Sequence, residues 1–384
     1  MQFKKPLRNT LKLSAELLLV MLFFFISSYA QQVPSKKSVR AAMESANAYF
    51  MNKWPDPGAP ITTNITRPSN IWTRAIYYEG LMSFYQTDPK KEYEQYAVDW
   101  GEKHNWGLRG GVTTCNADNQ ACGQTYIDLY MLDRQPKRIS EIKASIDSMM
   151  KSGKTSDWTW IDALQMGMPV FAKLGVLYHD PAYYELMYQE YMHTKTIEGG
   201  GLYNAKDALW WRDKSFVPPY KEPNGKDCYW ARGNGWIIAA LVRVLDLLPE
   251  DAPHREEYLQ TYKDMMKALA SLQRTDGFWN VSLHDPDHFG GKETSGTALF
   301  VYGMAWGVNK GILDKKIYKP LLIRGWDALV KEALNADGSL GYVQGTGKEP
   351  KDGQPVTYTS RPDFEDYGLG CFLLAGSEVY QLKK

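Results

Sequence analysis

The chain is short of the residue types that would place it in several large functional classes. Only four cysteines occur among 384 residues (Cys115, Cys122, Cys228, Cys371), too few and too scattered for a disulfide-built scaffold. Of six histidines only His284 and His288 are neighbours, with no third ligand at helical spacing, so neither a metal nor another cofactor is expected. An excess of one charge is equally absent. Lys and Arg number 45 against 44 Asp and Glu, which gives no ground for nucleic acid or an anionic membrane as partner. There is no Gly-x-Ser-x-Gly elbow and no phosphate-binding glycine loop.

A membrane-spanning run is missing too. The apolar stretch from Leu18 to Ile26 falls short of the roughly 20 residues a span requires. It follows Lys4, Lys5, Arg8 and Lys12 and precedes Ser27-Ser28-Tyr29-Ala30, the layout of a cleavable secretory signal. Residues 1–30 are therefore expected to direct export, to a periplasm or out of the cell, with residues 31–384 as one catalytic domain and no stable membrane anchor. Under export, Cys115 and Cys122 are close enough in sequence to bridge locally, while Cys228 and Cys371 read as small buried hydrophobes.

What the chain has in quantity is aromatic side chains, 13 Trp and 25 Tyr, within a composition that is 44% hydrophobic and 23% charged. Such rings fill cores, and they also stack on the apolar faces of sugars. Periodicity resolves into six pairs of helices. The first members (37–53, 91–104, 138–151, 181–194, 254–273, 315–334) are amphipathic. The second members (71–86, 120–131, 160–174, 232–248, 294–309, 366–381) are more apolar and richer in small residues, with Ile161, Leu164, Met168 and Phe171 at helical spacing. Pro169 is expected to kink one of them. A half-solvated helix alternating with a buried one suits two concentric rings, an all-α (α/α)6 barrel; an open solenoid would need polar capping repeats, which neither end shows.

The connections are unequal. Those from second to first members are short, whereas 196–231, 274–293 and 335–365 are long and rich in Gly, Trp and Asp. Three begin alike (Gly201-Leu202-Tyr203, Gly277-Phe278-Trp279, Gly338-Ser339-Leu340), each read as a small β excursion at one end of the barrel. That end is where a site is expected.

Two aspartates fall at that end. Asp118 opens the segment Asp118-Asn119-Gln120-Ala121-Cys122-Gly123, where helix capping competes with chemistry. Asp162, beside Trp158 and Trp160 in an apolar segment, reads as an isolated carboxylate with a raised pKa, suited to general acid catalysis. Trp230-Ala231-Arg232-Gly233-Asn234-Gly235-Trp236 is the most distinctive motif. Its Arg can clamp a substrate carboxylate or pack a helix entry, and its indoles can carry a sugar. Trp210-Trp211-Arg212-Asp213 reads equally as a sugar-contacting lip or a loop-packing cluster.

These residues give the chain a resemblance to the unsaturated uronyl hydrolases of glycoside hydrolase families 88 and 105, with family 105 the nearer. It runs from Trp72 to Asp366-Tyr367-Gly368 and is carried by the Trp230–Trp236 motif, Trp160-Ile161-Asp162, Asp118 with Gly123, and Glu293-Thr294-Ser295-Gly296-Thr297. The resemblance implies an (α/α)6 barrel, Asp162 as general acid/base and Asp118 as second essential aspartate. It also implies a sugar subsite that includes Trp230, Arg232 and Trp236, to which Asn204, Trp211 and Trp72 are added as substrate-binding candidates. The implied substrate is a lyase-generated oligosaccharide ending in a 4,5-unsaturated uronic acid linked to rhamnose, from rhamnogalacturonan or ulvan. Cleavage proceeds by hydration of the C4=C5 bond. Where rhamnogalacturonan-acting members carry a His, this chain has Asn204, which hydrogen-bonds but does not exchange protons. Two other readings remain: an ordinary inverting glycosidase on the same barrel, or a sugar-binding protein without catalysis.

Overall fold

A helix buried on all sides must be apolar or small at every position, and one that faces water needs only a stripe. Both kinds are present. The computed structural model describes residues 32–63, 65–359 and 366–383. Six outer helices, α1 (Lys36–Lys53), α3 (Lys91–Lys103), α5 (Ser140–Ser152), α7 (Pro181–Thr196), α9 (Arg255–Ser271) and α11 (Lys315–Ala328), alternate with six inner ones. The inner helices are α2 (Trp72–Thr87), α4 (Cys122–Leu132), α6 (Asp162–Tyr178), α8 (Ala231–Leu247), α10 (Thr294–Asn309) and α12 (Asp366–Gln381). Helix α5 buries Ile142, Ser145, Ile146 and Met149, a single stripe. Helix α6 buries every residue from Asp162 to Gly175. Each fully buried Ile or Leu in these faces contributes roughly 1.5–3 kcal/mol relative to exposure.

Each inner helix packs on the next, and α12 packs on α2, so the ring closes. Closure brings two backbones together: a Cβ on Gly80 would lie 2.4 Å from Gly370 O, and one on Gly370 would lie 2.1 Å from Ile76 O. Only glycine fits at that seam. The helices belong to one compact unit, Val33–Lys384. The expected signal at 1–30 lies outside the described residues. No helix among the described residues is long and apolar enough to cross a membrane.

Helix bounds depart from the sequence reading where loops intrude. Helix α6 starts at Asp162 because Trp160 is drawn into a bridge with Asp213. It continues through Pro169, which has no N–H for the carbonyl of Gln165; Gln124 Nε2 donates to that carbonyl instead, at 2.8 Å. Helix α11 ends in a π turn, Leu329–Ala333, that delivers Leu334 into a bridge with Leu340. Two expected β excursions form as antiparallel pairs, Tyr203–Asn204 with Leu209–Trp210 and Trp279–Asn280 with Lys292–Glu293; the third is only that single bridge. A further pair, Ile61–Thr62 with Thr66–Arg67, had no sequence signal. Cys115 and Cys122 are both free thiols, one exposed and one buried, so no bridge links them.

The interior of the inner ring also holds charged and amide side chains. Lys173 Nζ donates to Asp128 Oδ1 (2.5 Å), Arg243 Nε to Gln124 Oε1 (3.0 Å) and Gln165 Nε2 to Glu79 Oε2 (2.8 Å). A cavity of about 130 Å³ toward the C-terminal ends of the inner helices is lined by Glu79, Asp128, Lys173 and Arg243, with Met82, Leu247 and Tyr302.

Candidate active site

The opposite end, over the N-termini of the inner helices, gathers the long connections. Glu293 caps α10 with both carboxylate oxygens, accepting from Ser295 N (3.0 Å) and Gly296 N (2.6 Å), which accounts for the Glu293–Thr297 motif. Hydrogen bonds from Ala231 N to Val281 O (2.9 Å) and from Thr294 N to Tyr342 O (2.8 Å) tie neighbouring loops into one rim.

Asp118 lies in a single helical turn, Ala117–Gln120, just ahead of α4. It does not cap that turn. Asn116 does, its side chain accepting from Asp118 N at 2.9 Å. The Asp118 carboxyl is left facing a cavity of about 280 Å³ that Ile71, Trp72, Arg109, Asn116 and Asn119 also line. Burial, and next the charge of Asp162, push its pKa up to about 7, against the opposing pull of Arg212 and Arg109.

Asp162 opens α6 and is not isolated, contrary to the sequence reading. Arg212 Nε donates to Asp162 Oδ2 at 3.0 Å, and Arg212 Nη1 donates to Asp213 Oδ2 at 2.8 Å. The backbone holds this pairing in place, since Ile161 N donates to Arg212 O (3.0 Å) and Trp160 bridges Asp213. An ion pair offsets the cost of burying the Asp162 carboxylate, and the carboxyl raised to about 7 is that of its neighbour Asp118. The loop residue Arg212, which the sequence left between lip and packing, touches the reaction centre directly.

The Trp/Arg motif is placed beneath the surface. Arg232 is fully buried, sandwiched between the rings of Trp230 (4.5 Å) and Tyr367 (4.8 Å). Its Nη1 donates to Gln344 O (2.7 Å) and its Nη2 to Gly345 O (2.8 Å), which leaves only Nε without a partner. Its fork therefore meets loop carbonyls where a substrate carboxylate was expected. Trp230 Nε1 donates to Gln344 Oε1 (2.7 Å), and the Gln344 amide donates to Asp352 O (2.6 Å), so the 344–352 loop hangs on this cluster. Nothing in the sequence marked Gln344. Trp236 is buried and meets Trp72 edge-on at 6.3 Å. Half-buried Trp72 stacks on Tyr367 at 5.4 Å and presents its ring to the Asp118 cavity.

Asn204 and Trp211 sit apart from the cavity, around Tyr229. Asn204 Nδ2 donates to Tyr229 OH (2.6 Å), Tyr229 OH donates to Asp207 Oδ2 (2.8 Å), and Trp211 lies 6.0 Å from the Tyr229 ring. His288 has acquired acidic neighbours that sequence spacing did not show, because folding brings Glu222 and Asp285 within 4.8 Å of it. Their four carboxylate oxygens are taken up by Ser282 Oγ, His288 Nδ1, His288 N and Asn224 N, at 2.5–3.2 Å. The trio clasps the 222–228 segment to the 282–288 segment.

The family model described as Glycosyl Hydrolase Family 88 matches residues 42–383. The unsaturated 3S-rhamnoglycuronyl hydrolase of Formosa agariphila is 33% identical over 334 residues, 82% of this chain and 85% of that one. A protein with the same description from an Alteromonas species is 32% identical, covering 81% and 78%. Among solved structures, a glycosyl hydrolase family 88 protein from Bacteroides vulgatus superposes with a TM-score of 0.81 at 34% identity, covering 91% of this chain and all of that one. A possible member of the GH105 family from Salmonella enterica shares the fold, with a TM-score of 0.73 at 21% identity. The chain belongs to glycosyl hydrolase family 88 and is a glycoside hydrolase with an (α/α)6 barrel.

Proposed function

We propose that this enzyme removes a terminal 4,5-unsaturated uronic acid from lyase-generated oligosaccharides, with rhamnose as the following sugar, by hydrating the C4=C5 bond. The observation that carries this reading is a pair of electrostatically coupled aspartates, Asp162 ion-paired with Arg212 and Asp118 lining a cavity beside Trp72 with its pKa near 7. The similarity to the unsaturated 3S-rhamnoglycuronyl hydrolases of Formosa and Alteromonas supports the substrate class.

Up to about pH 7 Asp118 keeps its proton. That proton reaches C4 by way of Asp162, charge develops at C5, and water adds there, its own proton returning to Asp118. The new C5 hydroxyl makes a hemiketal, which opens and releases the neighbouring sugar. One water is consumed and the pair ends as it began. No nucleophile attacks the anomeric carbon, so carboxylate-separation rules for ordinary glycosidases do not apply. Trp72 supplies the stacking surface; Trp230, Arg232 and Trp236 are its buried support; Asn204 and Trp211 belong to the lip around Tyr229. The reading needs no metal. The basic and apolar layout of residues 1–30 supports action after export.

Turnover in deuterated water tests the chemistry. Hydration places deuterium at C4 of the uronate-derived product, as seen by NMR. An ordinary inverting glycosidase leaves C4 and the double bond untouched, and that result overturns the proposal.

A further inference from the structure

Of Arg109, Arg212 and Arg232, two are spoken for. Arg212 is shared by Asp162 and Asp213, and Arg232 by two loop carbonyls. Arg109 differs. It is exposed, lines the cavity with Trp72 and Asp118, and makes no ion pair or hydrogen bond with any described residue. It is the one cation among the residues that line that cavity.

Its backbone, by contrast, is held. Asn70 Nδ2 donates to Gly107 O (3.0 Å) and Leu108 N to Glu141 Oε1 (2.7 Å) on one side of it. On the other, Gly110 and Gly111 turn the chain at φ 89° and 68°. A free guanidinium on an anchored loop is arranged to meet something that arrives. On the functional reading the arrival is anionic, and an acidic sugar approaching Asp118 and the Arg212-paired Asp162 needs a cation of its own.

We propose that Arg109 binds an oxyanion of the substrate, either the carboxylate of the terminal uronate or a sulfate ester on the following sugar. The proposal rests on the functional reading above and deepens it by naming the cation that recognises the acidic group. Arg suits both sources, since its planar fork pairs with two oxygens at once, and Lys offers only a point charge.

The test is steady-state kinetics of the wild-type enzyme, R109Q, R109K and D162N. The substrates are matched unsaturated disaccharides, with and without a sulfate ester, and the uronate methyl ester. In R109Q, KM is expected to rise about ten- to a hundredfold with kcat within about threefold, and R109K is expected to fall between. If the carboxylate is the source, the defect appears on both acids and disappears with the methyl ester. If sulfate is the source, it appears only on the sulfated substrate. A KM for R109Q within about twofold of wild type on every substrate, with D162N inactive, overturns the Arg109 assignment alone. Full activity in D162N overturns the reading on which it rests. Because Arg109 is exposed and unpaired, the melting temperature of R109Q should match wild type.

Discussion

Arg212 bridges Asp162 and Asp213, so a residue of the long 196–231 connection reaches down to orient a carboxylate on α6. The loop and the helix are thereby one working unit. Asp162 needs its orientation from Arg212 and its proton balance from Asp118. Arg212→Gln is expected to lower kcat about ten- to a hundredfold with a much smaller change in KM, because the lost contact positions a reacting group and not the sugar. Arg212 also pulls the Asp118 pKa down, so its removal should carry the alkaline limb of the pH profile to higher pH. A limb that stays in place or moves down contradicts this electrostatic account.

The pH profile of the wild type follows from Asp118. Its folded-state pKa, about 7, lies above the ordinary 3.8, so the carboxyl keeps its proton through the weakly acidic range and loses it as pH rises through about 7. Log kcat/KM should be level near pH 6 and fall with unit slope above about 7. Asp118→Asn should abolish that limb along with most of the activity. A limb that survives in Asp118→Asn assigns the titration elsewhere.

Arg232 offers a choice between two roles that kinetics and melting separate. If it hangs the 344–352 loop, as its hydrogen bonds to Gln344 and Gly345 indicate, Arg232→Lys should destabilise the fold by about 2–4 kcal/mol as well as raise KM. Gln344→Ala, which never meets substrate in this account, should raise KM in the same direction. An Arg232→Lys enzyme with a wild-type melting temperature and a large KM defect would instead make the arginine a direct substrate contact.

Glu79, at the far end of the barrel, sets a pH dependence of stability that is separate from catalysis. Burial, opposed by Arg243 and Lys173, raises its pKa from 4.5 to about 7. Between those values the native state binds the proton more tightly than the unfolded chain does. Stability is therefore fullest below about pH 4.5 as far as Glu79 is concerned. It declines by about 3 kcal/mol as pH rises to about 7 and then levels off. Denaturant melts of Glu79→Gln should lack this decline when compared with wild type at pH 5 and pH 8. Parallel losses in both proteins would exclude Glu79 as the source.

The helical architecture was legible because burial imposes it residue by residue. Helix α10 reads apolar on every face and α5 on one stripe, and that alternation is enough to infer two rings. Closure was inferred from the lack of capping repeats and is realised at Gly80 and Gly370, a contact between distant segments. The positions of Asp118 and Asp162 were legible, but their surroundings were not. Asp162 looked isolated because its partner, Arg212, lies fifty residues away in a loop. Arg232 drew attention as a cation beside tryptophans, yet what its fork meets depends on Gln344 and Gly345, which carry no local signal. Arg109 was silent for the converse reason: a single arginine in a glycine-bearing turn becomes notable only when the cavity beside it is seen.

Ultraviolet absorbance of an unsaturated disaccharide incubated with wild-type enzyme and, separately, with Asp162→Asn tests hydration most directly. Hydration predicts that the enol-ether band disappears with the wild type and persists with the variant. Persistence of the band with the wild type while the glycosidic bond is cut contradicts hydration and makes the protein an ordinary inverting glycosidase.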